Sequence, residues 1–182
     1  MSAMKKTALV SAALVLTLAL GSGGPAVGQA ATSALKGHNT NAPVDVAADR
    51  IEVQDRADRA VFSGDVEVTQ ADLTLNAARL TVAYSNNRGV QIERLDASGG
   101  VILRSPSETA RSQFAIYDLN SKVITMLGQV TLTRGASHVN GGRLVLDLNS
   151  GRAVMDGGNA PGTGNGANGR VTGTFTVPQR GD

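Results

Sequence analysis

The chain has 182 residues, 41% hydrophobic and 18% charged, enough to bury one core of ordinary size in a single domain. Aromatic residues are limited to Phe62, Tyr84, Phe114, Tyr117 and Phe175 while Val, Leu, Thr, Gly and Asn are plentiful, a balance that favours strands and turns. The absence of cysteine excludes disulfides and thiolate chemistry. The 17 basic residues fall to 15, equal to the 15 acidic ones, once Lys5 and Lys6 leave with an N-terminal leader, so nothing marks a nucleic-acid surface.

Lys5 and Lys6 precede an apolar run, Thr7 to Leu20, that is too short for a permanent span and is followed by Gly21-Ser22-Gly23-Gly24-Pro25 and small residues. This is the layout of a secretory signal peptide over residues 1–30, with cleavage expected near Ala30 and a retained anchor as the alternative. Residues 31–42 read as a flexible leader, 43–178 as the β domain and 179–182 as a tail.

From residue 44 onward a two-strand unit recurs. Its first strand appears at Arg50–Val53, Arg79–Val82, Gln113–Ile116 and Arg143–Leu146, and its second runs through a glycine at Gly64, Gly99 and Gly128. A turn recurs as Asp118-Leu119-Asn120-Ser121 and Asp147-Leu148-Asn149-Ser150. Apolar residues alternate within each strand, as in Ile51 and Val53, Val66 and Val68, Leu73 and Leu75, Leu80 and Val82, Phe114 and Ile116, Val130 and Leu132, and Leu144 and Leu146. Period two gives each strand one apolar and one polar face. Each internal glycine predicts a bulge or bend. The fold expected is all-β, an open, twisted half jelly roll of successive antiparallel hairpins forming two facing sheets. Gly157 to Gly169 read as a flexible loop, and Val171, Phe175 and Val177 as a last strand ending at Pro178.

Candidate chemical sites do not stand up. Gly164 to Gly169 match G-x-G-x-x-G but lack the preceding strand and following helix that aim a helix end at a pyrophosphate. Ser33 to Lys36 match S-x-x-K by chance in the leader. Two histidines, His38 in the leader and His138 as a surface residue, are too few for a metal site, and Asp45, Asp49, Asp55 and Asp58 lack calcium-loop spacing. No enzyme, cofactor or metal is expected.

Pro43-Val44-Asp45-Val46-Ala47-Ala48-Asp49-Arg50-Ile51-Glu52-Val53 and Phe62-Ser63-Gly64-Asp65-Val66-Glu67-Val68-Thr69-Gln70 resemble the N-terminal segment of the LptA/OstA family of periplasmic lipopolysaccharide carriers. Ala77 to Val82, Leu127 to Val130, Asn140 to Leu144 and Phe175 to Pro178 resemble the later repeats. The resemblance implies a periplasmic, V-shaped β protein that holds the acyl chains of lipopolysaccharide. It also implies a bridge between an inner-membrane LptC anchor and the N-terminal domain of outer-membrane LptD, with head-to-tail self-association as a further option. The lipid-facing residues expected are Val46, Ile51, Val53, Phe62, Val66, Val68, Leu73, Leu75, Leu80, Val82, Leu103, Phe114, Ile116, Met126, Val130, Leu132, Leu144 and Leu146. Thr40, Val44 and Val46 are assigned to one junction, and Val171, Phe175 and Val177 to the other. The competing readings are a dry structural β-repeat protein and an LptC-like anchored relative.

Overall fold

A computed structural model describes residues 35, 37–86, 89–158 and 169–176. The expected signal peptide, most of the glycine-rich loop, Val177 and the tail lie outside the described residues. The strands are β1 (Asp45–Ala47), β2 (Arg50–Gln54), β3 (Arg59–Gln70), β4 (Leu73–Ser85), β5 (Gln91–Arg104), β6 (Thr109–Asp118), β7 (Val123–Arg134), β8 (Ser137–Asp147), β9 (Arg152–Asp156) and β10 (Thr172–Thr174). One 3₁₀ turn, Asp55–Ala57, joins β2 to β3.

Every pairing is antiparallel between sequence neighbours from β3 to β8, as a chain of tight hairpins dictates. β1 and β2 both pair with β3, on its C-terminal and N-terminal halves respectively, and β10 pairs with the N-terminal half of β8 and β9 with its C-terminal half. The two facing sheets expected from sequence are therefore the two halves of one continuous sheet, because each long strand changes register partway along. The shifts that divide the strands fall between Ser63 and Val66, Asn76 and Arg79, Ser98 and Val101, Arg111 and Phe114, and Leu127 and Val130, and one more, between Ala83 and Tyr84, lies near the β4–β5 turn. Layer A carries β2 and β9, layer B carries β1 and β10, and the crease between the layers is a row of bulges.

The glycines anticipated as bends sit in that crease. Gly99 has φ +86° and Gly128 φ +83°, and a Cβ on either would come within 2.7 Å of Ala78 Cβ or 2.9 Å of Gln113 Cβ on the neighbouring strand. Only glycine satisfies both the left-handed backbone and that close approach. Residue 100 or 129 then follows with positive φ as well, which reverses the strand's pleat and folds layer B over layer A.

The recurrent turn has one construction. The Ser121 amide donates to Asp118 Oδ1 at 2.8 Å, and the Asn149 and Ser150 amides donate to Asp147 Oδ1 at 2.9 and 3.1 Å. These hydrogen bonds hold both carboxyls below the usual aspartate range.

Two expectations need correction. The last strand is only Thr172–Thr174, all exposed, with Val171 and Phe175 outside it and also exposed. With glycine at its centre and no apolar side chain of its own, it has nothing to bury. The described part of the leader is also not a free chain: Leu35 is buried with 3% exposure, and His38 to Ala42 are hydrogen-bonded to the β3–β4 turn.

Candidate functional site

The inner faces of the two layers form one apolar interior. Layer A supplies Leu80, Val82, Leu95, Ala97, Ala115, Tyr117, Ile124, Met126, Leu144 and Leu146, while layer B supplies Val66, Val68, Leu73, Leu75, Val101, Leu103 and Val130, all buried. Where Gln70 and Tyr117 meet, side chains from both layers, Leu75 and Ile124 among them, leave a void of only about 10 Å³, room for about one water. Toward the β1–β2 edge the interior opens into a groove of about 530 Å³ lined by Val44, Val46, Val53, Phe62, Val82, Tyr84, Val90 and Ile92. Its apolar wall ends at Asp55 and Asn86. There Tyr84 Oη donates to Asp55 at 3.4 Å, and Asn86 Nδ2 donates to Asp58 at 3.0 Å.

The rims of the two layers are the rows of hairpin turns, and they meet at Gln70, the last residue of β3. Tyr117 Oη, one residue before a layer-A turn, donates to Gln70 Oε1 at 2.9 Å. Gln70 Nε2 donates in turn to the carbonyls of Thr40 at 3.1 Å and Ala42 at 3.0 Å. His38, with its side chain fully buried, places Nε2 at 3.2 Å from the same Gln70 oxygen and Nδ1 at 2.7 Å from Asp72 Oδ1. The hydrogen bond from His38 holds the Asp72 carboxyl below its ordinary range, and burial raises the Tyr117 phenol.

Of the residues expected to face inward, Val66, Val68, Leu73, Leu75, Leu80, Val82, Leu103, Met126, Val130, Leu144 and Leu146 do so and are buried. Val46, Phe62 and Leu132 are partly buried against the same cluster. Ile51 and Val53 share the inner face with their partners Phe62 and Ala60, yet each is 56% exposed because β2 is an edge strand. Phe114 and Ile116 are the correction. They are 52% and 36% exposed on the outer face, where Ile116 pairs with Asp96 and Thr125 while Ala115 and Tyr117 point inward. The bulge between Arg111 and Phe114 displaces the inward phase by one residue.

Of the junction residues, Val44 and Val46 line the open groove, and Thr40 contributes its carbonyl to Gln70. Val171 and Phe175 flank β10, and Val177 lies outside the described residues. Among the described residues no group of His, Asp and Glu is placed to hold a metal, and no helix is long and apolar enough to cross a membrane. Pattern reading missed Tyr117, Gln70, Leu35 and His38. The recurrent turn contained the signal for Tyr117, since matching Asp118 to Asp147 puts Tyr117 opposite Leu146. The other three had no periodic signal.

Comparison with known proteins agrees with this architecture. A crystal structure of LptH, described as the LptA homologous periplasmic component of the conserved lipopolysaccharide transport device from Pseudomonas aeruginosa, superposes with a TM-score of 0.67 at 18% identity, over 77% of this chain and 99% of that one. An uncharacterized protein of Rhizobium meliloti (strain 1021) is 30% identical over 128 residues, which is 65% of this chain and 69% of that protein. Residues 45–152, from β1 to the start of β9, match the family described as LptA/(LptD N-terminal domain) LPS transport protein, and the chain belongs to that family.

Proposed function

We propose that this protein is a periplasmic carrier that holds the acyl chains of lipopolysaccharide between its two layers and passes them on without doing chemistry on them. The observation that carries this reading is the apolar interior that opens, through the groove beside Val46, Phe62 and Val82, at an edge of the sheet. Acyl chains placed there leave water at a gain of roughly 25 cal/mol per Å².

The edges support a relay. Among the described residues β1 and β2 end the sheet on one side, and β9 and β10 end it on the other. Each edge presents unpaired main-chain groups that a strand from a neighbour can extend. In this reading the Val44–Val46 edge joins an LptC-like inner-membrane anchor. The Val171–Phe175 edge joins the N-terminal domain of an LptD-like outer-membrane protein or a second copy of the chain.

One observation favours the alternative of a dry structural β protein: the interior at Leu75 and Ile124 is already filled by side chains. Lipid A binding separates the two readings. A charge at Phe62→Asp, in the groove, is expected to weaken lipid A binding at least tenfold, whereas Ile116→Asp on the outer face leaves it unchanged. Equal binding by both folded variants would refute the carrier reading.

A further inference from the structure

His38 precedes β1, and its fully buried side chain sits between two hydrogen-bond acceptors. The orientation of Gln70 is fixed without reference to the histidine: its Nε2 donates to the carbonyls of Thr40 and Ala42, which can only accept, so its Oε1 is the atom that faces the ring. That oxygen stands 3.2 Å from His38 Nε2 and also accepts from Tyr117 Oη. On the other side of the ring, Nδ1 is 2.7 Å from Asp72 Oδ1. The Asp72 carboxyl is held below its ordinary range, chiefly by that hydrogen bond, so it is ionised and can only accept. Neither neutral tautomer satisfies both neighbours, because each sets a ring lone pair against an oxygen lone pair. A ring with a proton on both nitrogens donates twice and places its charge beside a carboxylate.

We propose that His38 is held as the imidazolium and acts as a proton-dependent latch that fastens the segment entering β1 to the β3–β4 turn. That segment folds on itself, the Thr40 amide donating to the His38 carbonyl at 3.0 Å and the Ala42 amide to the Asn39 carbonyl at 3.1 Å. Gln70 and Asp72 tie the folded segment to the sheet. Asp45 then pairs with Thr69, next to Gln70, so the latch sets where β1 begins and where Val44 and Val46 stand as a wall of the groove. Loss of one ring proton turns an attractive contact into repulsion between lone pairs, which loosens Gln70 and the two carbonyls it serves. Among the described residues, the ionisable groups facing this network are Asp72 from the β3–β4 turn and the Tyr117 phenol from β6. The first is lowered and the second raised by burial, so neither changes charge between about pH 5 and pH 8, where histidine does. The latch is a property of the chain itself and does not depend on the carrier reading, to which it adds control of the groove edge by pH.

The chain holds only two histidines, so ring nitrogen shifts in a nitrogen–proton correlation spectrum of the isotopically labelled full chain separate the imidazolium from the two neutral tautomers at each of them. At about pH 7, above the ordinary histidine value of about 6.5, His38 is expected to carry protons on both ring nitrogens in the folded protein. A neutral tautomer there overturns the proposal. As the pH is raised until the ring becomes neutral, the backbone amide signals of Thr40, Ala42 and Val46 are expected to shift in step with it, while that of Val145 in β8 stays. Amides at Thr40 to Val46 that do not follow the ring overturn the latch. Asp72→Asn, at a half-exposed side chain, removes the carboxylate and keeps an oxygen acceptor, and it is expected to leave the His38 ring neutral at the same pH. A ring still doubly protonated in that variant contradicts the role given to Asp72 and overturns the latch as assigned.

Discussion

Tyr117 donates its hydroxyl to Gln70 Oε1 at 2.9 Å, joining two residues 47 apart in sequence that end opposite layers of the sheet. Gln70 is the hub of that contact, because its amide nitrogen also serves the carbonyls of Thr40 and Ala42. Removing the outer partner costs less than removing the hub. Tyr117→Phe is expected to lower stability by about 1 kcal/mol, and Gln70→Leu, which orphans several polar groups at once, by about 3 kcal/mol in urea unfolding. Equal losses would contradict the hub assignment.

The crease glycines carry a second prediction. Gly99→Val and Gly128→Val place a β-branched residue at positive φ against Ala78 or Gln113, and each is expected to cost about 2–4 kcal/mol. Gly158, which has open space around it and no strained φ, serves as the control, and Gly158→Ala is expected to shift the thermal midpoint negligibly.

The inward phase of β6 can be tested by stability alone. Met126 is fully buried beside Ala115, so Met126→Ala is expected to cost about 2–5 kcal/mol, whereas Ile116→Ala on the outer face is expected to cost less than about 1 kcal/mol. A larger loss at Ile116 would restore the phase expected from sequence.

That misplaced phase shows where sequence reading succeeds and where it stops. Alternation identified the strands and placed Leu80, Val82, Leu144 and Leu146 correctly, because Arg79 to Ala83 pair with β3, and Arg143 to Asp147 with β9, in unbroken register. It failed at Phe114 and Ile116 because a bulge changes the count from two to three, and the apolar letters alone do not show which residue is skipped. The recurrent aspartate turn does show it. Measured back from Asp118 and Asp147, Tyr117 matches Leu146 and Ala115 matches Leu144, all four buried. Gln70 and His38 were illegible for another reason, since a buried polar network is defined by partners distant in sequence rather than by spacing.

The turn carboxylates set an acid limit. Asp118 and Asp147 have folded-state values below the ordinary 3.8, through amide donors in their own turns, and Asp72 is lowered by His38. A lowered carboxyl adds stability that is fully present above its unfolded value and is lost as pH falls through the folded one. Stability is therefore expected to decline from about pH 4 downward, and more shallowly in the Asp118→Asn and Asp147→Asn double variant. An unchanged acid limb in that variant would mean the turns do not contribute.

The most direct test of the carrier account is site-specific photo-crosslinking of the full chain in the presence of lipopolysaccharide. A photoreactive residue in place of Phe62, in the open groove, is expected to capture lipopolysaccharide, while one in place of Ile116 on the outer face is not. Adducts at Ile116 and none at Phe62, or none at either in the folded protein, would contradict an interior path for the lipid.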